Sequence, residues 1–223
     1  MLQSWRELTF LHWRLPAAEV ARRIPSSLTV ESFDGSAWIG VTPFHLRNLR
    51  PPWLPAVPWL SHFPETNCRT YVRAPDGSRG IWFFSLEAAR LAAVAGARMA
   101  YGLPYFWSRM RVQVEGTRIR YQSARRWPNT CGITNIEVER GEPVEAGPLE
   151  NFLTERFRLF SSVGGRLMCA DVEHAPWPLM QARVIRAEQT LIECAGLPRP
   201  DGEALAHYSP GVHVRVGPPR LLR

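Results

Sequence analysis

Along this chain apolar and polar residues alternate in short runs separated by turn-forming pairs, which is the two-residue period of strands and not the longer period of helices. Residues 5–15 predict a first strand that stops at Pro16. Ala17, Val20, Ala21 and Ile24 then recur at helical spacing until Pro25, a short helix with proline in its first turn. Three hairpins follow from the turn chemistry: residues 28–33 and 37–46 around Asp34-Gly35, 67–73 and 80–86 around Asp76-Gly77, and 106–114 and 118–123 around Glu115-Gly116. The alanine-rich stretch 87–100 predicts a helix stopped by Gly102 and Pro104, and 148–157 a second, with Leu149, Phe152, Leu153 and Phe157 on one face. Residues 133–140, 166–173, 179–187 and 207–216 suit strands, 189–195 a short helix, and Gly164-Gly165 a loop tip.

Between residues 50 and 64 the chain carries Pro51, Pro52, Pro55, Pro58 and Pro64 among Trp53, Trp59 and Leu60. This is a stiff extended loop with apolar side chains to bury. It reads either as a polyproline ligand or as a flap over the mouth of the core, and the flap is favoured because its tryptophans would otherwise be exposed. No repeat and no linker divides the chain, so residues 1–223 are expected to form one domain. Many strands with few helices make it mainly β, of the α+β kind.

Composition removes one class of chemistry outright. All 27 basic side chains are arginine, so no side-chain amine is present to form a Schiff base. The formal net charge of +7 is spread along the chain without a run of five or six like charges, which argues against specific nucleic-acid binding. Cys68, Cys131, Cys169 and Cys194 make no C-x-x-C pair, so neither a zinc site nor a redox dithiol is indicated and a reducing compartment fits. Arg6, Glu7, His12 and Arg14 interrupt the first residues, and no run approaches a membrane span of ~18 apolar residues. The expectation is a cytoplasmic protein without a membrane partner.

If 65–73 is extended, Glu65, Asn67, Arg69, Tyr71 and Arg73 share one face and Thr66, Cys68, Thr70 and Val72 the other. That large polar face is either the wet side of a sheet or the lining of a barrel, where a carboxylate, an amide and a guanidinium hold a polar ligand. Glu87 follows the run Ile81 to Leu86, and reads either as a first-turn helix residue favoured by the dipole or as a pocket acid with a raised pKa. His12 and His174 have no metal-type partner at usable spacing and read as structural hydrogen-bonding histidines. No Walker A loop, G-x-G-x-x-G or G-x-S-x-G occurs, and neither metal nor cofactor is expected.

Taken in order, QSWRELTFLHW, FDGSAWIGVTPFHLRNLRPP, FPETNCRTYVR, IWFFSLEAARLAAVAGARMAYGLPY, LENFLTERFRLF, HAPWPLMQA and HYSPGVHVRVG resemble the DUF2071 family of uncharacterised bacterial proteins, over nearly the whole chain. That family looks like a branch of the acetoacetate decarboxylase-like superfamily. The resemblance implies a cone-shaped antiparallel β-barrel with peripheral helices and a ligand cavity. In true acetoacetate decarboxylases a lysine ahead of a Gly-Tyr-Pro-like turn forms the Schiff base; the matching place here is Arg98, Met99 and Ala100, which offers no amine. The decarboxylase glutamate resembles Glu65 in FPETN. Arginine stays protonated and does not replace the nucleophile.

Three functions remain open. The first is a binding protein for a small, anionic organic molecule, with Glu65, Asn67, Arg69 and Arg98 lining the cavity. The second is an enzyme using Glu65 or Glu87 as general acid or base for enolisation, hydration or lyase chemistry. The third is a protein-interaction module whose contact surface is the aromatic loop.

Overall fold

Fourteen strands and four short helices make up residues 1–222, the part of the chain described by this computed structural model. β1 (Leu2–Leu15), α1 (Ala17–Ala21), β2 (Thr29–Val30), β3 (Ser32–Phe33), β4 (Ser36–Arg50), β5 (Phe63–Arg73) and β6 (Arg79–Ala88) come first. α2 (Leu91–Tyr101) leads to β7 (Tyr105–Glu115), β8 (Arg118–Trp127) and β9 (Ile133–Pro143), and α3 (Pro148–Thr154) to β10 (Arg158–Val163) and β11 (Arg166–His174). β12 (Met180–Gln189), α4 (Leu191–Cys194), β13 (Leu205–Val216) and β14 (Arg220–Leu221) follow.

The three predicted hairpin turns are present, with Asp34 and Gly35 both at positive φ as a two-residue hairpin loop requires. Other boundaries moved. The strand expected over 28–33 is split into β2 and β3 around Glu31, whose side chain is buried. The helix expected from residue 87 begins at Leu91, and Glu87 stays in β6, opposite Thr66 on β5 and Phe106 on β7. β10 was not predicted at all: a six-residue strand with two serines shows too little alternation to be separated from the preceding helix.

One mostly antiparallel sheet holds all the strands, and it closes on itself into a ring of nine: β5, β6, β7, β8, β9, β12, β13, β1 and β4. The expected mainly antiparallel strand arrangement is present, with β6 as the exception that runs parallel to both β7 and β10. Those two pairings share one edge of β6. Leu86, Glu87 and Ala88 pair with β7, while Ile81 and Trp82 pair with β10. Gly80 makes the second contact possible, because a Cβ there would lie 2.6 Å from the Arg158 carbonyl oxygen. β13 is divided in the same way, its start pairing with β12 and its end with β11. The sheet therefore forks at β6 and β13, and the hairpin β10–β11 completes a second ring with β13, β1, β4, β5 and β6.

The forked topology gives the shared strands two covered faces. On one side Leu11, Ile39, Val41, Cys68, Ile119 and Ile136 fill the nine-strand ring as an apolar core. On the other side lies a cavity. Burial on both faces explains why β5 is buried without a break from Glu65 to Val72.

Cys131 and Cys194 form a disulfide, with Cα atoms 5.9 Å apart, that ties the turn between β8 and β9 to α4. The absence of a C-x-x-C pair did not point to this bond, since a pairing across 63 residues leaves no mark in local spacing. Cys68 and Cys169 are free and buried.

Candidate ligand-binding cavity

A cavity of about 470 Å³ opens inside the second ring, and each strand of that ring contributes to its wall. Trp5, Phe44, Phe63, Phe83, Leu86 and Trp177 make most of it apolar. Its mouth lies between the proline-rich loop and α2. The loop turns Leu54, Pro55, Val57 and Leu60 inward, and α2 presents Ala92, Ala93, Gly96, Ala97 and Ala100, the small residues of one helical face. The flap reading of residues 50–64 holds for the loop's position but not for its tryptophans: Trp53 and Trp59 face out.

Glu65, Asn67 and Arg69 all line the cavity, so the polar face of β5 is not the wet side of the sheet. The next residue on that face, Tyr71, is wholly buried beneath them, and Arg73 emerges on the outside against Glu31 at 2.9 Å. At i and i+4 on a strand, the Glu65 and Arg69 Cα atoms are separated by about 13 Å, which leaves space for a ligand between the two groups.

Three arginines are almost completely buried, and their partners differ. Arg125 donates from Nε and Nη2 to both oxygens of Glu87. Arg156 reaches Glu31 at 3.2 Å, and burial lowers its pKa to about 10. Arg69, only 5% exposed, has no carboxylate within 4 Å among the described residues. Its guanidinium lies 5.4 Å from the Phe10 ring centroid and 5.9 Å from that of Tyr71. Arg69 Nε, Asn67 Oδ1, Trp5 Nε1, and Arg156 Nε and Nη2 are buried without hydrogen-bond partners, and all four side chains line the cavity. Buried polar atoms are rarely left unpaired, and such a cluster around one space marks where a polar ligand or water completes the bonding.

His12 and Tyr71 hold the floor under Arg69. Tyr71 donates its hydroxyl proton to the Leu153 carbonyl at 2.7 Å, so the 2.6 Å contact from His12 Nε2 is assigned as N–H donating to the Tyr71 oxygen. Burial, reinforced by the Arg69 charge, holds the His12 pKa well below its ordinary value, and the ring is neutral. Gly40 makes room for this pair: a Cβ there would meet His12 Nε2 at 3.1 Å and Arg69 Cγ at 3.4 Å. The structural reading of His12 fits this role. His174 lines the cavity and packs against Trp177 with the rings tilted and their centroids 4.9 Å apart.

Toward the mouth, the Tyr105 hydroxyl donates to Glu65 at 3.2 and 3.4 Å. Burial outweighs that bond and pushes the Glu65 pKa up to about 8, so the carboxyl is largely protonated at neutral pH. This predicts a pH effect on stability. The folded pKa lies above the ordinary 4.5, the folded state binds the extra proton between those values, and stability falls as pH rises from about 4.5 to about 8. Glu65→Gln is expected to flatten that fall. Denaturant titrations of the two proteins at each pH check it, and parallel curves refute it.

Two candidates are displaced. Glu87 is neither a helical first-turn residue nor a cavity acid: it faces the nine-strand core, where Ser108 donates to it at 2.6 Å and Arg125 pairs with it. Arg98 lies on the outer face of α2, donates to the Tyr105 carbonyl at 2.7 Å and stacks over Trp127, because the helical phase gives the inner face to the small residues. Sequence reasoning missed Arg156, which it placed in a helix that in fact ends at Thr154, and Tyr105, whose only signal was its place in the GLPY block. Among the described residues no group of three or more histidine, cysteine or acidic side chains converges as a metal site would require.

Comparison with known proteins places this architecture. The uncharacterized protein YqjF of Bacillus subtilis (strain 168) is 35% identical over 222 residues, covering 99% of this chain and 91% of the relative. Acetoacetate decarboxylase from Legionella pneumophila superposes with a TM-score of 0.68 at 11% identity, covering 100% of this chain and 88% of that one. The enduracididine biosynthesis enzyme MppR, complexed with pyruvate, gives 0.69 at 13% identity, with 100% and 90% covered. At those identities the likeness shows the acetoacetate decarboxylase-like fold alone. The DUF2071 profile, described as an uncharacterized conserved protein, matches residues 2–213, and with the identity to YqjF it shows that this chain belongs to the DUF2071 family.

Proposed function

We propose that this protein binds a small organic anion, a carboxylate with an apolar body, in the cavity of the second ring. The observation that carries the reading is Arg69: a buried guanidinium without a carboxylate partner costs several kcal/mol of desolvation, and a ligand carboxylate is the group that offsets it. Trp5 Nε1 and Arg156 Nε and Nη2 are the further unpaired donors, Asn67 Oδ1 accepts from a hydroxyl or water, and the aromatic wall takes the apolar body. The neighbour MppR is complexed with pyruvate, a small carboxylate. Binding of carboxylic acids of increasing apolar size, each beside its own amide, tests the proposal by thermal shift. The acids are expected to raise Tm and the amides to leave it unchanged. Equal shifts from acid and amide, or no shift from any acid, would refute it.

A second reading is favoured by Glu65. A carboxyl with a pKa near 8, within hydrogen-bonding reach of Tyr105, is suited to exchange a proton with a bound substrate at neutral pH, as enolisation, hydration or lyase chemistry requires. Schiff-base decarboxylation is not part of either reading. Treatment with acetoacetate and borohydride is expected to leave every internal peptide unmodified by mass spectrometry, since the sequence has no lysine.

A further inference from the structure

The rim of the cavity carries a pattern that ligand binding does not use. Trp53 and Trp59 on the loop and Met99 on α2 are 82%, 69% and 82% exposed, and Leu91 at the start of α2 is about half exposed. An apolar group of this kind on a soluble surface marks an interaction site. Along the two segments that carry it the charge has one sign. No acidic residue occurs from 35 to 64 or from 88 to 114, the stretches that contain the loop and α2. Arg47, Arg50, Arg90 and Arg98 in those stretches have no carboxylate within 4 Å among the described residues, so their charge is free to meet an anionic surface. Arg90 lies 4.4 Å from the Trp59 ring centroid and donates to the Trp59 carbonyl at 2.8 Å, so cation and indole are presented together.

We propose that this rim docks on a bilayer containing anionic lipid, with Trp53 and Trp59 in the headgroup region and the four arginines against lipid phosphates. Indole rings favour that boundary, and unpaired arginines supply the matching charge. A second copy of the chain fits less well, because a two-fold contact through this patch would set the same arginines against each other. Among the described residues no helix is long and apolar enough to cross a membrane, but that bears on spanning and not on lying against a surface. The docking does not depend on what the cavity holds.

Co-sedimentation with vesicles tests it, using phosphatidylcholine alone and phosphatidylcholine with a minority of phosphatidylglycerol. The natural protein is expected to partition to the anionic vesicles about tenfold more strongly than to the neutral ones, and less so as salt rises. Trp53→Ser combined with Trp59→Asn is expected to reduce that partitioning at least about tenfold. Asparagine is chosen because Trp59 has a φ of 68°. Met99→Ser and Arg47→Gln, far less exposed to folding problems, are expected to weaken it by about two- to fivefold each. Equal binding to both vesicle types, no binding by the natural protein, or single variants that bind like it all overturn the proposal. So does a dimer in light scattering that the tryptophan double variant converts to monomer.

Discussion

Glu87→Ala is expected to destabilise the protein by about 3–5 kcal/mol, the usual cost of removing one partner from a buried ion pair. Glu87 is fully buried and Arg125 nearly so, and the guanidinium also lies 3.6 Å from the Phe106 ring centroid. Alanine would leave that cation in an apolar core with Asn129 as its remaining side-chain hydrogen-bond partner. The loss should appear as a lower midpoint in equilibrium denaturant unfolding, and replacing Glu87 and Arg125 together by methionine should recover much of it. A loss under about 1 kcal/mol for Glu87→Ala would mean that the pair is not buried as described.

Arg69→Met is expected to behave in the opposite way. Its guanidinium has no carboxylate to lose, so exchange for an apolar side chain of similar length should leave the ligand-free protein equally or more stable. Affinity for a carboxylate ligand should fall by about 1.5–3 kcal/mol, roughly tenfold to more than a hundredfold, because a charge-assisted hydrogen bond is removed. Calorimetric titration with the best acid from the thermal-shift panel measures the affinity, and melting without ligand measures the stability. Affinity unchanged by the substitution would remove Arg69 from the site. Stability that rises while binding is lost is the signature of a residue kept for function at the expense of the fold.

The sequence resolved what is local. Asp34-Gly35, Asp76-Gly77 and Glu115-Gly116 announced their hairpins because each turn places its glycine at φ > 0, where glycine is favoured. The alternation from Glu65 to Arg69 put three polar side chains on one face, and the backbone keeps them there because strand geometry has a period of two. The absence of lysine settled the exclusion of amine chemistry with no reference to shape. None of these required knowledge of what lies opposite.

What lies opposite was decided by tertiary structure. The forks at β6 and β13 bury both faces of β5 and turn its polar face into a cavity wall, and they arise from pairings between residues far apart, such as Leu159 with Ile81 and Val172 with Val216. The same long-range pairing gave Glu87 to Arg125 and joined Cys131 to Cys194. It left Arg69 without a counter-charge, and it is helix phase against the cavity that turned Arg98 away. Local propensity records how a residue's neighbours in sequence repeat along an axis. Burial, charge pairing and cavity shape depend on which strands meet, and a single chain of side-chain types carries no local signal for that.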